Sequence, residues 1–214
     1  MPLAAIFGTS KLAAIAGTST AAIQYAKHLQ INWTATLPTA IAAFIFSFLG
    51  ARVVSSINPE LLRPAILILL IAVAIFTFVK KDFGSLHAPK LAATTQKWIG
   101  ISIGMAIGFY DGFFGPGTGS FLMFAFIGIF GFDFLNAAAS SRVVNFATNL
   151  SAMLYFAFTG NILYQFALPM AACNMLGSFL GTKLAVSKGS QFVRGLFLVV
   201  VSALIIKFAY DTLH

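Results

Sequence analysis

The sequence predicts an all-α polytopic membrane protein with two inverted-topology repeats and about seven or eight membrane helical segments, including one broken glycine-rich helix pair. Three observations carry this prediction. Hydrophobic residues make up 59% of the chain and charged residues only 8%, against about 25% charged in an ordinary soluble domain. Long stretches have no Lys, Arg, Asp or Glu: His28 to Ala51, Gly112 to Phe132, and the 40 residues from Val143 to Thr182. A span needs about 20 apolar residues, so the last stretch is long enough for two helices turning at Thr159-Gly160-Asn161. Backbone groups in hydrocarbon must be satisfied within the segment, which selects helices, and the short alternating segments of a barrel are absent.

The third observation is an internal repeat with a constant offset of 131. It carries Lys11 onto Arg142, Leu37-Pro38 onto Leu168-Pro169, and Ser47-Phe48-Leu49-Gly50 onto Ser178-Phe179-Leu180-Gly181. Arg52 falls on Lys183 and Arg63 on Arg194, with no gap from Ser10 to Lys80. Apolar composition alone produces matching Leu and Ala residues, but not aligned prolines, glycines and cations.

The repeat orders the elements. In the first copy, spans are expected at 4–28, 35–55 and 60–79, with Pro38 and Pro169 in first turns. Asn58-Pro59-Glu60 reads as a cap, a first-turn proline and an acid on the helix dipole. A hydrophilic linker follows, and then a hairpin at 98–113 and 119–131 without a partner in the first copy. The second copy closes with spans at 135–159, 163–186 and 191–210. Residues 1–80 therefore form an incomplete N-terminal repeat, 81–97 a cytoplasmic linker, and 98–214 a complete C-terminal repeat. The counterpart of Trp98 would precede Met1, so the expectation is an N-terminal truncation or a misplaced start.

Cations choose the topology. With the 98–134 segment crossing twice, the repeats are inverted and the cations divide eight against three; with a re-entrant hairpin they are parallel and divide six against five. The positive-inside rule favours inversion, with the linker in the cytoplasm and the C-terminus outside. The +8 net charge does not indicate nucleic acid, because the cations stand singly at the ends of apolar runs. Trp33, Trp98 and Tyr164 at span ends read as an aromatic belt. The lone cysteine, Cys173, permits no internal disulfide. The three histidines lack metal-ligand spacing and no nucleophile–base set stands out, so neither an enzyme nor a cofactor is expected.

One segment interrupts the apolar pattern: Gly108-Phe109-Tyr110-Asp111-Gly112-Phe113-Phe114-Gly115-Pro116-Gly117-Thr118-Gly119-Ser120. Its glycines and proline break the helix, and irregular backbone at membrane depth is tolerated only against protein or a cavity. Gly115, Gly117, Thr118, Gly119 and Ser120 are read as a substrate loop, with free N–H groups and the positive dipole end of the following helix forming an anion site. A glycine-rich packing contact is the competing reading. Lys11 and Arg142 lie some seven residues into their helices and recur through the repeat, which marks them as functional candidates over snorkelling side chains. Around Arg142, helical spacing aligns Ser141, Asn145, Thr148 and Asn149 on one face. In the first copy Thr9, Ser10, Lys11 and Thr18 take the matching places. Two such faces make a small polar, cationic pocket suited to an oxyanion. Asp111, the one acid inside an apparent span, pairs with Lys11 or Arg142 or carries a coupling proton.

With Gly8-Thr9-Ser10-Lys11 opening the first copy and the glycine-rich stretch at 108–120, the chain resembles the sulfite exporter TauE/SafE family of membrane permeases. The resemblance extends over essentially the whole chain. The family's usual Gly-Thr-Asn-Lys is here Gly-Thr-Ser-Lys, and its first glycine-rich hairpin has no counterpart. It implies a multi-pass protein of the bacterial inner membrane that moves sulfite, sulfonates or related organosulfur anions. The expected function is a secondary transporter, an exporter, of a small sulfur-containing anion. The alternative is a non-transporting membrane subunit, an assembly factor or an inactive truncated permease. The expected partners are the lipid bilayer and the anion, with self-association left open.

Overall fold

Each regular element among the described residues follows from an apolar run closed by a recognisable stop signal. The computed structural model describes residues 3–55 and 91–213. The expected span at 60–79, the Asn58-Pro59-Glu60 cap and residues 81–90 of the linker lie outside the described residues. Within them the order is α1 (Leu3–His28), α2 (Trp33–Val54), α3 (Ala93–Phe113), α4 (Thr118–Gly128), α5 (Phe134–Phe158) and α6 (Tyr164–Leu213). No strand occurs among the described residues.

Side-chain caps start two of the helices. The Asn32 side chain accepts from the Ala35 N–H at 3.2 Å at the head of α2, and Asp133 accepts from the Asn136 N–H at 2.7 Å at the head of α5. Because Asn32 starts α2 at Trp33, Pro38 is its sixth residue and not part of its first turn; Pro169 is likewise inside α6. Residue α5 ends at the Thr159-Gly160-Asn161 turn, with Gly160 at φ 71°. The Asn161 N–H reaches the Phe156 carbonyl at 2.8 Å and the Gly160 N–H the Ala157 carbonyl at 3.1 Å, so both last-turn acceptors are satisfied. Helix α3 begins at Ala93, inside the segment expected to be linker. Its first turns are held by the buried Gln96 side chain, which donates to the Leu91 carbonyl at 2.8 Å and accepts from Asn32 at 3.1 Å. The two spans expected at 163–186 and 191–210 run as α6, broken at Gly189 (φ 75°, ψ −170°).

Helix α2 is long and apolar enough to cross a membrane, with a mean hydropathy of 1.8 over its best window. Among the described residues it is alone in meeting that criterion, since α1 and α5 each devote a face to Ser, Thr or Asn. At 11 residues α4 is apolar but only about 17 Å long. Large apolar side chains face outwards along α2 and α6, Ile41, Ile45, Leu168, Leu176 and Leu180 among them.

Two kinds of seam join the helices. Gly100, Gly104, Gly108 and Gly112 recur every fourth residue on α3 and lay its backbone directly on α2; a Cβ at any of them would overlap Thr39, Ala43 or Ser47. Helix α2 meets α5 through hydroxyls: Ser47 donates to the Thr148 carbonyl at 2.9 Å, Ser151 to the Phe44 carbonyl at 2.5 Å, and Thr36 to Ser140 at 3.1 Å. On the other side of the bundle α6 packs on α1, where the Asn174 amide donates to the Ala13 carbonyl at 2.9 Å. Helices α1 and α5 also touch, so they form the centre with α2 against α5 and α6 against α1. Phe126, Phe130 and Phe132 fill the space beside α5, with Phe126 and Phe132 stacked at 5.6 Å.

The glycine seam gives a direct prediction. Gly108→Leu places a side chain into the Ala43 backbone and is expected to cost about 1–3 kcal/mol. Gly177→Leu on α6, where a Cβ meets nothing within 4 Å, is expected to leave stability unchanged. Thermal unfolding of the two variants in detergent checks the contrast.

Candidate functional site

The loop between α3 and α4 is held by its own hydrogen bonds. The Phe114 and Gly115 N–H groups both reach the Tyr110 carbonyl, at 2.7 and 3.2 Å, and close α3. Gly115 (φ 93°) and Gly117 (φ 84°) then reverse the chain through backbone conformations that side-chain-bearing residues rarely adopt. The Thr118 hydroxyl donates to the Gly115 carbonyl at 2.7 Å, and the Tyr110 hydroxyl to the Pro116 carbonyl at 2.5 Å. Sequence reasoning expected free N–H groups at the head of α4. Two of the three are engaged in tight turns, Thr118 to the Gly115 carbonyl and Ser120 to the Gly117 carbonyl. The Gly119 N–H makes no backbone hydrogen bond among the described residues, the Gly115 and Pro116 carbonyls one turn before it accepting from Thr118 and Tyr110 instead.

Beneath this loop lies an ion pair. The Lys11 ammonium on α1 and the Asp111 carboxylate in the last turn of α3 are 2.5 Å apart, with side chains 8% and 4% exposed. Gly115 lies directly over it: a Cβ there would be 3.1 Å from the Lys11 Nζ. A charge buried this deeply is tolerated when paired, and each of these two is the other's partner.

Arg142, the repeat counterpart of Lys11, behaves differently. It is exposed, and it makes no ion pair or side-chain hydrogen bond among the described residues. It borders two cavities. The smaller, about 410 Å³, runs from Lys11, Asp111 and Gly115 past Thr118 and Asn149. The larger, about 540 Å³, is bounded by Tyr25, Ser120 and Ser141. The cavities share Arg142, Asn145, Gly117, Gly119, Asn174 and Ser178, which mark the place where they meet. Lys11, Asp111, Gly115, Gly117, Thr118, Gly119, Ser120, Arg142, Asn145 and Asn149 thus each border one cavity or both. Thr148 does not: it is fully buried, its hydroxyl bonded to the Asn145 carbonyl and its own carbonyl to Ser47. Thr9 bonds the Ala5 carbonyl and the Leu163 N–H, and so belongs to the α1–α6 joint.

Sequence reasoning missed Asn174, Ser178 and Tyr25. Asn174 and Ser178 are one turn apart on α6 and Ser178 is part of the repeated Ser-Phe-Leu-Gly, so a polar pair in a charge-free run was the available signal. Tyr25 near the end of α1 offered none. Among the described residues no group of His, Cys, Asp or Glu converges in a way that could hold a metal ion.

The family described as "Sulfite exporter TauE/SafE" matches residues 1–208. The chain belongs to the TauE/SafE family. Curated relatives extend the point. A Sinorhizobium protein named "Probable membrane transporter protein ORF9" is 33% identical over 207 residues, covering 97% of this chain and 78% of its own. A Haemophilus influenzae "Probable membrane transporter protein" is 31% identical over 217 residues, covering 99% and 82%. The Escherichia coli K12 "Probable membrane transporter protein YfcA" is 27% identical over 204 residues, covering 95% and 75%. No solved structure matches the chain. As a TauE/SafE protein the chain is a membrane transporter.

The ion pair in this TauE/SafE chain makes a stability prediction. Lys11→Met leaves the Asp111 carboxylate buried without its cation and is expected to cost about 3–5 kcal/mol. Adding Asp111→Leu removes the stranded charge and is expected to recover most of that loss. Chemical denaturation of the single and double variants measures the difference.

Proposed function

We propose that the chain is a secondary transporter that exports a small sulfur-containing anion such as sulfite or an organosulfonate across the bacterial inner membrane. One observation carries the reading: the unpaired Arg142 guanidinium stands where two cavities meet, beside the Asn145 side chain and the free Gly119 N–H. A guanidinium offers a planar fork of donors that matches the oxygens of a sulfonate or sulfite group. The amide of Asn145 and the head of α4 supply further donors without adding bulk. Lys11 and Asp111 border the same space as a paired unit that positions the loop, and Asn149, Ser120 and Thr118 complete a polar wall.

Two inverted repeats provide the moving parts in this reading. Its support is the arrangement of the bundle: α1 and α5 carry the equivalent cations, and each is packed by the second helix of the other repeat. That exchange suits a pseudo-two-fold axis passing between α1 and α5, with the site on it. The cation distribution orients the linker to the cytoplasm and the C-terminus outwards, and exposed Trp33 and Tyr164 at the heads of α2 and α6, with Trp98 in the second turn of α3, serve as interfacial anchors.

In proteoliposomes, Arg142→Ala is expected to abolish sulfite or organosulfonate flux; unchanged flux and affinity would remove Arg142 from the site. Topology is checked separately. In a Cys173→Ala background, a cysteine added after His214 is expected to react with an impermeant maleimide on intact cells, and labelling that requires permeabilisation reverses the orientation.

A further inference from the structure

The charge around the two cavities says more than that the cargo is an anion. Among the described residues, Lys11, Asp111 and Arg142 are the charged side chains on their walls. Lys11 and Asp111 cancel within their 2.5 Å ion pair, which leaves Arg142 as the one uncompensated charge among the described lining residues. The titratable neighbours are phenols: Tyr25 borders the larger cavity, and Tyr110 has its hydroxyl turned to the Pro116 carbonyl. The rest of the shared wall is neutral amide, hydroxyl and glycine.

A second feature lies beside Arg142. The Ser141 Oγ is buried, its residue 3% exposed, and it has no hydrogen-bond partner. Elsewhere in these helices Thr9, Thr18, Thr20, Thr39 and Thr159 satisfy their hydroxyls on the carbonyl four residues back. Ser141 makes no such bond, and it borders the larger cavity. A buried hydroxyl left unbonded is costly, and a bound oxyanion would satisfy it as a neutral donor.

We propose that this site is a valence filter that accepts monoanions, organosulfonates and bisulfite, and rejects the dianions sulfite and sulfate. The proposal rests on the anion-transport reading and adds the charge state of the cargo. Arg142 neutralises one negative charge, and Ser141 and Asn145 add neutral donors for the remaining oxygens. The second charge of a dianion would face a low-dielectric wall with no counterion, on the same lining as the Asp111 carboxylate. Recruiting Lys11 instead would strip a buried carboxylate of its partner.

Calorimetric titration of the purified full-length chain in detergent tests this with methanesulfonate, sulfite and sulfate as probes. Methanesulfonate is expected to bind at constant affinity as the pH is raised through neutrality. Sulfite binding is expected to weaken in step with the loss of bisulfite, and sulfate is expected to bind at least about tenfold more weakly than methanesulfonate. Asp111→Asn frees the Lys11 charge and is expected to raise sulfate affinity relative to methanesulfonate by about tenfold or more. Equal binding of sulfate and methanesulfonate, or sulfite binding that holds or strengthens at higher pH, overturns the filter; the pH series uses the native chain and does not depend on a variant folding. Discrimination without flux in proteoliposomes supports the filter and overturns the transport reading. Absence of binding by all three anions overturns both.

Discussion

The backbone contact between α2 and α3 is the constraint on which the rest of the arrangement depends. Four glycines at intervals of four leave no side chain between the two helices, so the register of α3 on α2 is set by main-chain atoms. The last of them, Gly112, follows Asp111 directly and fixes where that carboxylate emerges. Helix α2 is tied in turn to α5 by the hydroxyls of Thr36, Ser47 and Ser151. Through these two seams the end of α3, the glycine loop and the start of α4 are carried to α1 and to Arg142. Without the close glycine contact, Asp111 would have no fixed place opposite Lys11.

Two cations 131 residues apart in matching sequence surroundings have come to different ends. Lys11 is buried, paired and covered by Gly115, and serves to hold the loop against α1. Arg142 is open to both cavities and has no partner among the described residues. The hairpin of α3 and α4 supplies Asp111 to Lys11, and among the described residues no acid stands beside Arg142. Among the described residues the charge distribution is therefore asymmetric, with one cation left open to an external negative charge.

Much of this was legible in the sequence because hydrocarbon leaves few options. Long uncharged runs had to be helices, and the Thr159-Gly160-Asn161 turn and the start of α5 fell within a residue of their predicted places. Polar residues inside such runs stand out, which is why Lys11, Arg142, Asn145 and Asn149 could be singled out and all border the cavities. Failures came where a local interaction outweighed the pattern. Asn32 captured the Ala35 N–H and moved Pro38 into the body of α2; Gln96 tied the start of α3 to Asn32 and consumed part of the linker. Tight turns took two of the amides expected to be free at α4. The exposure of Arg142 and the role of Asn174 depend on how α6 meets α1, a tertiary fact with no local signature.

The two seams of α2 differ in what they permit. A serine hydroxyl can exchange one helix carbonyl for another by turning about a single torsion, so the α2–α5 face can shift along its length while its donors stay bonded. The α2–α3 face has no such freedom, because sliding it by any distance short of a full glycine interval drives Cβ atoms into backbone. One face is a weld and the other a slide bearing. If the bundle rearranges as a transporter must, α3 and its loop travel with α2 as one rigid arm, and the bearing surface runs along α5, the helix that carries Arg142.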